Sequence, residues 1–96
     1  MKTIEWAAGL FEGEGCITTN HRIKIAMTDK DVVEDFARVV GFGDVREQQR
    51  PPHRTQYEWQ AQRKSIVKDI LLRMLPYFGT RRAYKALNCL DEIDNI

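Results

Sequence analysis

Ninety-six residues, 43% of them hydrophobic and 30% charged, are the size of one small domain, and residues 1–96 are expected to form it. No apolar run approaches the ~20 residues of a transmembrane helix. The stretch 1–6 lacks the apolar core of a secretory signal, so an intracellular protein, cytoplasmic or organellar, is expected. Cys16 and Cys89 fit no CxxC spacing, which argues for reduced thiols over a disulfide framework or a zinc site. The net charge of +1 does not by itself announce a nucleic-acid binder. Its distribution is uneven, however. Residues 46–64 hold Arg46, Arg50, Arg54, Arg63 and Lys64 against Glu47 and Glu58, and 65–90 are more basic still, whereas both chain ends are acidic.

Thr3 is placed to N-cap a first helix that runs to about residue 12–14, where Gly13 and Gly15 stop it. A short strand led by Ile17 follows, then a turn at Asn20-His21. Ile23, Ile25 and Met27 next alternate with Arg22, Lys24 and Ala26, the period of a half-buried strand. Thr28 opens a capping-box variant, and Val32, Val33, Phe36, Val39 and Val40 recur at helical spacing until Gly41. A second hairpin carries Val45 on one strand and Tyr57, Trp59 and Ala61 on the other, around a loop at Pro51-Pro52-His53. Ser65 is expected to cap a helix over Ile66–Leu75 that Pro76 interrupts. Thr80 is expected to cap a last one, with Ala83, Tyr84, Leu87, Leu90 and Ile93 inward. The order αββαββα, with the last helix broken, predicts an α+β fold: a four-stranded antiparallel sheet backed by helices.

The first helix is costly as an ordinary helix. Gly9 in its interior costs ~1 kcal/mol relative to alanine, and Gly13 lies four residues on, on the same face. A face of small residues lets another backbone approach, and no second segment of the chain has matching small residues. A two-fold dimer pairing this helix with its own copy fits, and Ala8, Gly9, Glu12 and Gly13 are expected at that interface. Glu12 and Glu14 sit near the helix C-terminus, where the macrodipole disfavours negative charge. Two copies of Glu14 near a dyad would repel, and Mg²⁺, which prefers carboxylate oxygens with water and phosphate, would relieve that conflict.

The segment WAAGLFEGEGCI, Trp6 through Ile17, resembles the LAGLIDADG motif of homing endonucleases in its W-x-x-G-[LF]-[FI]-x-G-E-G version. Phe42-Gly43-Asp44-Val45 and Leu75-Pro76-Tyr77-Phe78, with the element order, extend the resemblance over essentially the whole chain. One motif per chain implies a homodimer. The resemblance puts Glu14 on the acidic position that binds the catalytic Mg²⁺, with Gly13 beside it, and Mn²⁺ or Ca²⁺ as substitutes in binding. Glu12 falls on the other acidic position, with a structural part. Arg81 takes the place of the family's usual lysine near the scissile phosphates, with Arg82 beside it. Asp29 stands where a glutamine more commonly positions active-site water; a helix cap is the alternative role for it.

Alternation puts Ile17, Ile23, Ile25, Met27, Val45, Tyr57, Trp59 and Ala61 on the packed sheet face. The opposite face then displays Thr18, Asn20, Arg22, Lys24, Arg46, Gln48, Arg50, Gln56, Glu58, Gln60 and Gln62. Such side chains can read base edges in the major groove. Arg54 is expected at phosphates, and Arg82 is likewise counted with the DNA contacts. An eight-residue strand at ~3.3 Å per residue would span roughly eight base pairs per subunit. The expected function is a Mg²⁺-dependent, homodimeric, site-specific endonuclease that cuts both strands of a long pseudo-palindromic DNA across the minor groove, encoded in an intron, an intein or on its own. The rivals are a non-cleaving DNA-binding regulator or intron RNA-splicing maturase on the same fold, and an incomplete half of a heterodimer.

Overall fold

The computed structural model describes residues 2–49 and 51–95. Helix α1 (Ile4–Glu14) begins where the Thr3 hydroxyl accepts the Trp6 N–H at 3.3 Å, as the sequence led us to expect. Strand β1 (Gly15–Ile17) follows without a linker, and Gly15 is obligatory there. A Cβ on it would stand 2.4 Å from the Phe11 carbonyl oxygen and 2.5 Å from the Phe11 ring. Strand β1 therefore starts two residues earlier than its first isoleucine indicated.

Thr18 then leaves the sheet for a turn. The His21 N–H donates to the Thr18 carbonyl at 3.1 Å, and His21 takes the left-handed region at φ 65°. Strand β2 (Ile23–Met27) leads into α2 (Lys30–Val40). Gly41 closes α2 in the left-handed conformation. Strands β3 (Val45–Gln48) and β4 (Gln56–Ala61) form the second hairpin, and α3 (Lys64–Met74), a 3-10 turn (Leu75–Tyr77) and α4 (Thr80–Asp94) complete the chain.

All strand pairs are antiparallel, in the order β1-β2-β4-β3. Ile23, Ile25, Trp59 and Ala61 on the inner face are buried, and Ile17, Met27, Val45 and Tyr57 pack partly against the same core. Phe36 meets Trp59 edge-on at 4.8 Å between centroids and stacks on Phe11 at 6.4 Å, which joins both hairpins to α1 and α2.

Three local expectations are corrected. Ser65 lies inside α3, whose N-cap position is Arg63, and Gly79 rather than Thr80 precedes α4. Helix α4 is rotated from its expected phase: Ala86, Cys89 and Leu90 are buried, whereas Tyr84 and Leu87 are 67% and 52% exposed. The strands are also shorter than eight residues; β4, the longest, has six and spans ~20 Å, or about six base pairs.

Candidate catalytic corner and nucleic-acid interface

Helix α1 divides into two faces. Ala7, Ala8 and Phe11 are wholly buried in the core of their own subunit. Ala8 is thus removed from the expected interface, because its side chain has no exposed surface to offer. Gly9 and Gly13 lie on the opposite, exposed face, and a Cβ built on either would meet nothing within 4 Å. No neighbour among the described residues therefore accounts for these two glycines, and nothing there offsets their helical cost.

The C-terminal end of α1 meets the N-terminal end of α4. The Gly79 N–H donates to Glu12 Oε1 at 2.5 Å, so a carboxylate from the first helix caps the last one, in the place where no local side chain does. Arg82 Nη2 donates to the Glu12 carbonyl oxygen at 3.1 Å, its Nε lies 3.7 Å from Glu12 Oε2, and its guanidinium stands 5.3 Å from the Phe11 ring centroid. With a side chain only 11% exposed, Arg82 is a strut between the two helices. Glu12, by the same bonds, is committed inside the subunit.

What this corner leaves open is Glu14 and Arg81. Glu14 ends α1 exposed, and among the described residues its carboxylate has no hydrogen-bond or ion-pair partner. Arg81, in the first turn of α4, is exposed and equally unpaired. Each stands two residues from an end of the Glu12–Gly79 bond, Glu14 on α1 and Arg81 on α4. Asp29 sits at the N-cap position of α2, yet its side chain makes no capping bond; only its carbonyl accepts, from Val32 and Val33. It is exposed just beyond the end of β2, the strand whose Ile25 pairs Gly15.

Among the described residues no three His, Cys, Asp or Glu side chains are grouped to hold an ion. Glu14 alone offers a free carboxylate at the corner. Its chemistry suits Mg²⁺, which takes few protein oxygens and fills its remaining positions with water and phosphate.

The outer sheet face has the expected polar row. Cys16 stands opposite Lys24, which pairs Gln60; Ala26 pairs Glu58, which faces Arg46; and Gln56 pairs Gln48. Cys16 and Ala26 belong to this face and were not counted on it. Only β1 starting at Gly15 brings Cys16 into the ladder. Lys24, Arg46, Glu58 and Gln60 have no side-chain partner among the described residues. Arg22 and Gln62, just outside the paired strands, are joined by a hydrogen bond of 2.8 Å. Thr18 is corrected: its hydroxyl is engaged with Asn20 Oδ1 and with the Arg22 backbone, so it builds the turn and carries Asn20 with it. Arg54 is exposed beside Gln48, His53 and Gln56 around a cavity of about 260 Å³. The expectation for Arg50 lies outside the described residues.

No helix of the described residues is long and apolar enough to cross a membrane. No protein-family model matches the sequence, and no curated protein does. Solved structures do. The homing endonuclease I-CvuI, in complex with the I-CreI target with magnesium present and the DNA not cleaved, superposes with a TM-score of 0.78 at 20% identity. The match covers 95% of this chain and 65% of that one. I-CvuI in complex with its own target in calcium matches equally, and the homing endonuclease I-TnaI gives a TM-score of 0.73 at 17% identity, over 97% of this chain and 71% of that one. The chain thus spans about two thirds of the length of the structures it matches, and it has the homing-endonuclease fold that the motif resemblance implied.

Proposed function

We propose that the protein is a site-specific, double-strand DNA endonuclease that works as a homodimer. The observation that carries this reading is the exposed face of α1. Gly9 and Gly13 open it to a second backbone, and it ends in an unpaired Glu14 beside a sheet whose outer face is a row of base-reading side chains. A two-fold axis along that face would set two Glu14 carboxylates near each other and align two sheets over the half-sites of a pseudo-palindromic duplex.

In this arrangement the outer face of β2, β3 and β4 docks in the major groove, and Arg54 holds backbone phosphates that fix register. The corner of each subunit then lies over the intervening minor groove. Glu14 with the Gly13 carbonyl would hold a divalent ion, Mg²⁺ in function, with Mn²⁺ or Ca²⁺ able to take its place in binding. When bound, that ion lowers the pKa of an attacking water and stabilises the leaving 3′ oxygen. Arg81 offsets charge that develops on the scissile phosphate; its guanidinium stays protonated, so it stabilises charge and carries no proton. Asp29, exposed and free of a capping bond, would accept a hydrogen bond from an active-site water. Glu12 and Arg82 keep α1 and α4 in register and touch no DNA.

Incubation with a plasmid library of randomised targets, with Mg²⁺ or with chelator, tests the reading. Metal-dependent double-strand breaks that fall about 100-fold or more in Glu14→Gln support it. Sequence-specific binding without breaks would identify instead a non-cleaving regulator or an RNA-splicing maturase on this fold. A monomer by light scattering at concentrations where DNA is bound would point to half of a heterodimer.

A further inference from the structure

We propose that Arg22 and Gln62 act as one donor-only reader that selects a guanine at one position of each half-site; this rests on the DNA-binding reading above. The two residues flank the Ile23–Ala61 pair, Arg22 immediately before β2 and Gln62 immediately after β4, and so stand opposite each other on the outer face. Arg22 Nη2 donates to Gln62 Oε1 at 2.8 Å. The identity of that amide atom follows from chemistry. A guanidinium carries donors only, so the oxygen of Gln62 has to face it.

This bond changes what Gln62 can recognise. A free glutamine pairs with adenine by accepting from N6 and donating to N7. With its single acceptor oxygen turned to Arg22, the amide presents its NH₂ group, and the Arg22 Nη groups present their remaining N–H bonds as well. Guanine is the base whose major-groove edge offers two neighbouring acceptors, O6 and N7. Adenine and cytosine would each turn an amino donor towards this pair, and a donor left facing donors in a desolvated groove loses its water without replacement. Thymine offers one acceptor beside a methyl group.

The reader is also held in place before DNA arrives. The Arg22 backbone is fixed by the turn: its N–H donates to the Thr18 hydroxyl at 3.1 Å, and its carbonyl accepts the Thr18 N–H at 2.8 Å. Arg22 Nε is buried without an acceptor, and Gln62 is the one side-chain partner of the guanidinium among the described residues. Gln62 in turn lines a groove of about 260 Å³ with Gln60, the cationic Arg46 and Arg63, and Asp44.

Selection from duplexes randomised across both half-sites, with Ca²⁺ in place of Mg²⁺, tests the assignment. The wild-type protein is expected to enrich guanine at one symmetry-related position per half-site, by about ten- to a hundredfold over the other bases. Arg22→Ala should abolish the preference there and leave other positions intact. Gln62→Glu keeps Arg22 anchored but replaces the NH₂ donors with an acceptor, so it should lower the guanine preference about tenfold. This second variant decides the matter if Arg22→Ala does not fold by circular dichroism. A uniform loss of affinity across all sequences in Arg22→Ala would make Arg22 a phosphate contact and overturn the proposal. So would an enriched site whose preferences neither variant changes; in both cases DNA binding itself would stand. Enrichment of no sequence at all would overturn this proposal together with the reading it rests on.

Discussion

Helices α1 and α2 are the same length, eleven residues each, and differ in how much of their sequence the chain itself explains. In α2 the apolar side chains of Val33, Phe36 and Val40 are buried, and Gly41 ends the helix in the left-handed conformation that glycine favours. Its charges are likewise used at home: Asp35 pairs with Arg38 and with Lys2. In α1 only the face with Ala7, Ala8 and Phe11 is explained in this way. Gly9, Gly13 and Glu14 lower the stability of an isolated chain; a Cβ on either glycine would meet open space, and Glu14 has no side-chain partner among the described residues. A helix that serves its own core selects good helix formers, whereas one that serves a contact with something else accepts a cost inside the monomer.

The sharpest way to break this comparison is to attack each face of α1 separately. Phe11→Ala removes a ring that touches Phe36 and Phe78, and it should cost about 3–5 kcal/mol in denaturant unfolding, whatever the state of assembly. Gly15→Ala forces the new methyl against Phe11, and a loss of about 1–3 kcal/mol is expected, again without reference to a partner. Gly9→Ala should do the opposite. The open space and the helix propensity of alanine predict a gain of up to about 1 kcal/mol in the isolated chain, while sedimentation shows a weakened dimer and cleavage falls. A Gly9→Ala protein that keeps full dimerisation would remove the reason we give for the glycine.

The smallest effect belongs to α2. Arg38, and after it Lys2, holds the Asp35 carboxyl below the usual carboxylate range. A carboxyl depressed by folding contributes stability above its unfolded pKa and loses it as the pH falls through the folded value. Asp35→Asn should therefore be slightly less stable than wild type near neutrality, and thermal melts of the two should converge in acid. A difference that persists at the acid end would mean that the carboxylate charge is not the cause.

Much of this organisation was legible beforehand, and the exceptions share a cause. The Thr3 cap, the period of two in β2 and the apolar spacing of α2 are local signals, and the structure has all three. Helix α4 was misread because large apolar side chains were taken to point inward. Its buried stripe is built instead from the small Ala86 and Cys89 with Leu90, which leaves Tyr84 and Leu87 outside. Strand β1 was placed late because glycine and cysteine carry no strand signal; close packing on Phe11, not propensity, puts Gly15 in the ladder. Arg81 and Arg82 are neighbours in sequence but point about 100° apart on a helix, so only tertiary contact assigns one to solvent and the other to Glu12. The exposed pair Glu14 and Arg81 was nameable from the motif. That Glu12 and Arg82 are occupied elsewhere was not.

The bond from Glu12 to the Gly79 amide joins positions 67 residues apart and links the first helix to the last. A nascent chain cannot make it until nearly all of its length has been synthesised. The end of α1, where the exposed Glu14 carboxylate sits, acquires its final support only at that point. A fragment truncated before α4 would keep the sequence of α1 and lose the strut that ties its end to the last helix.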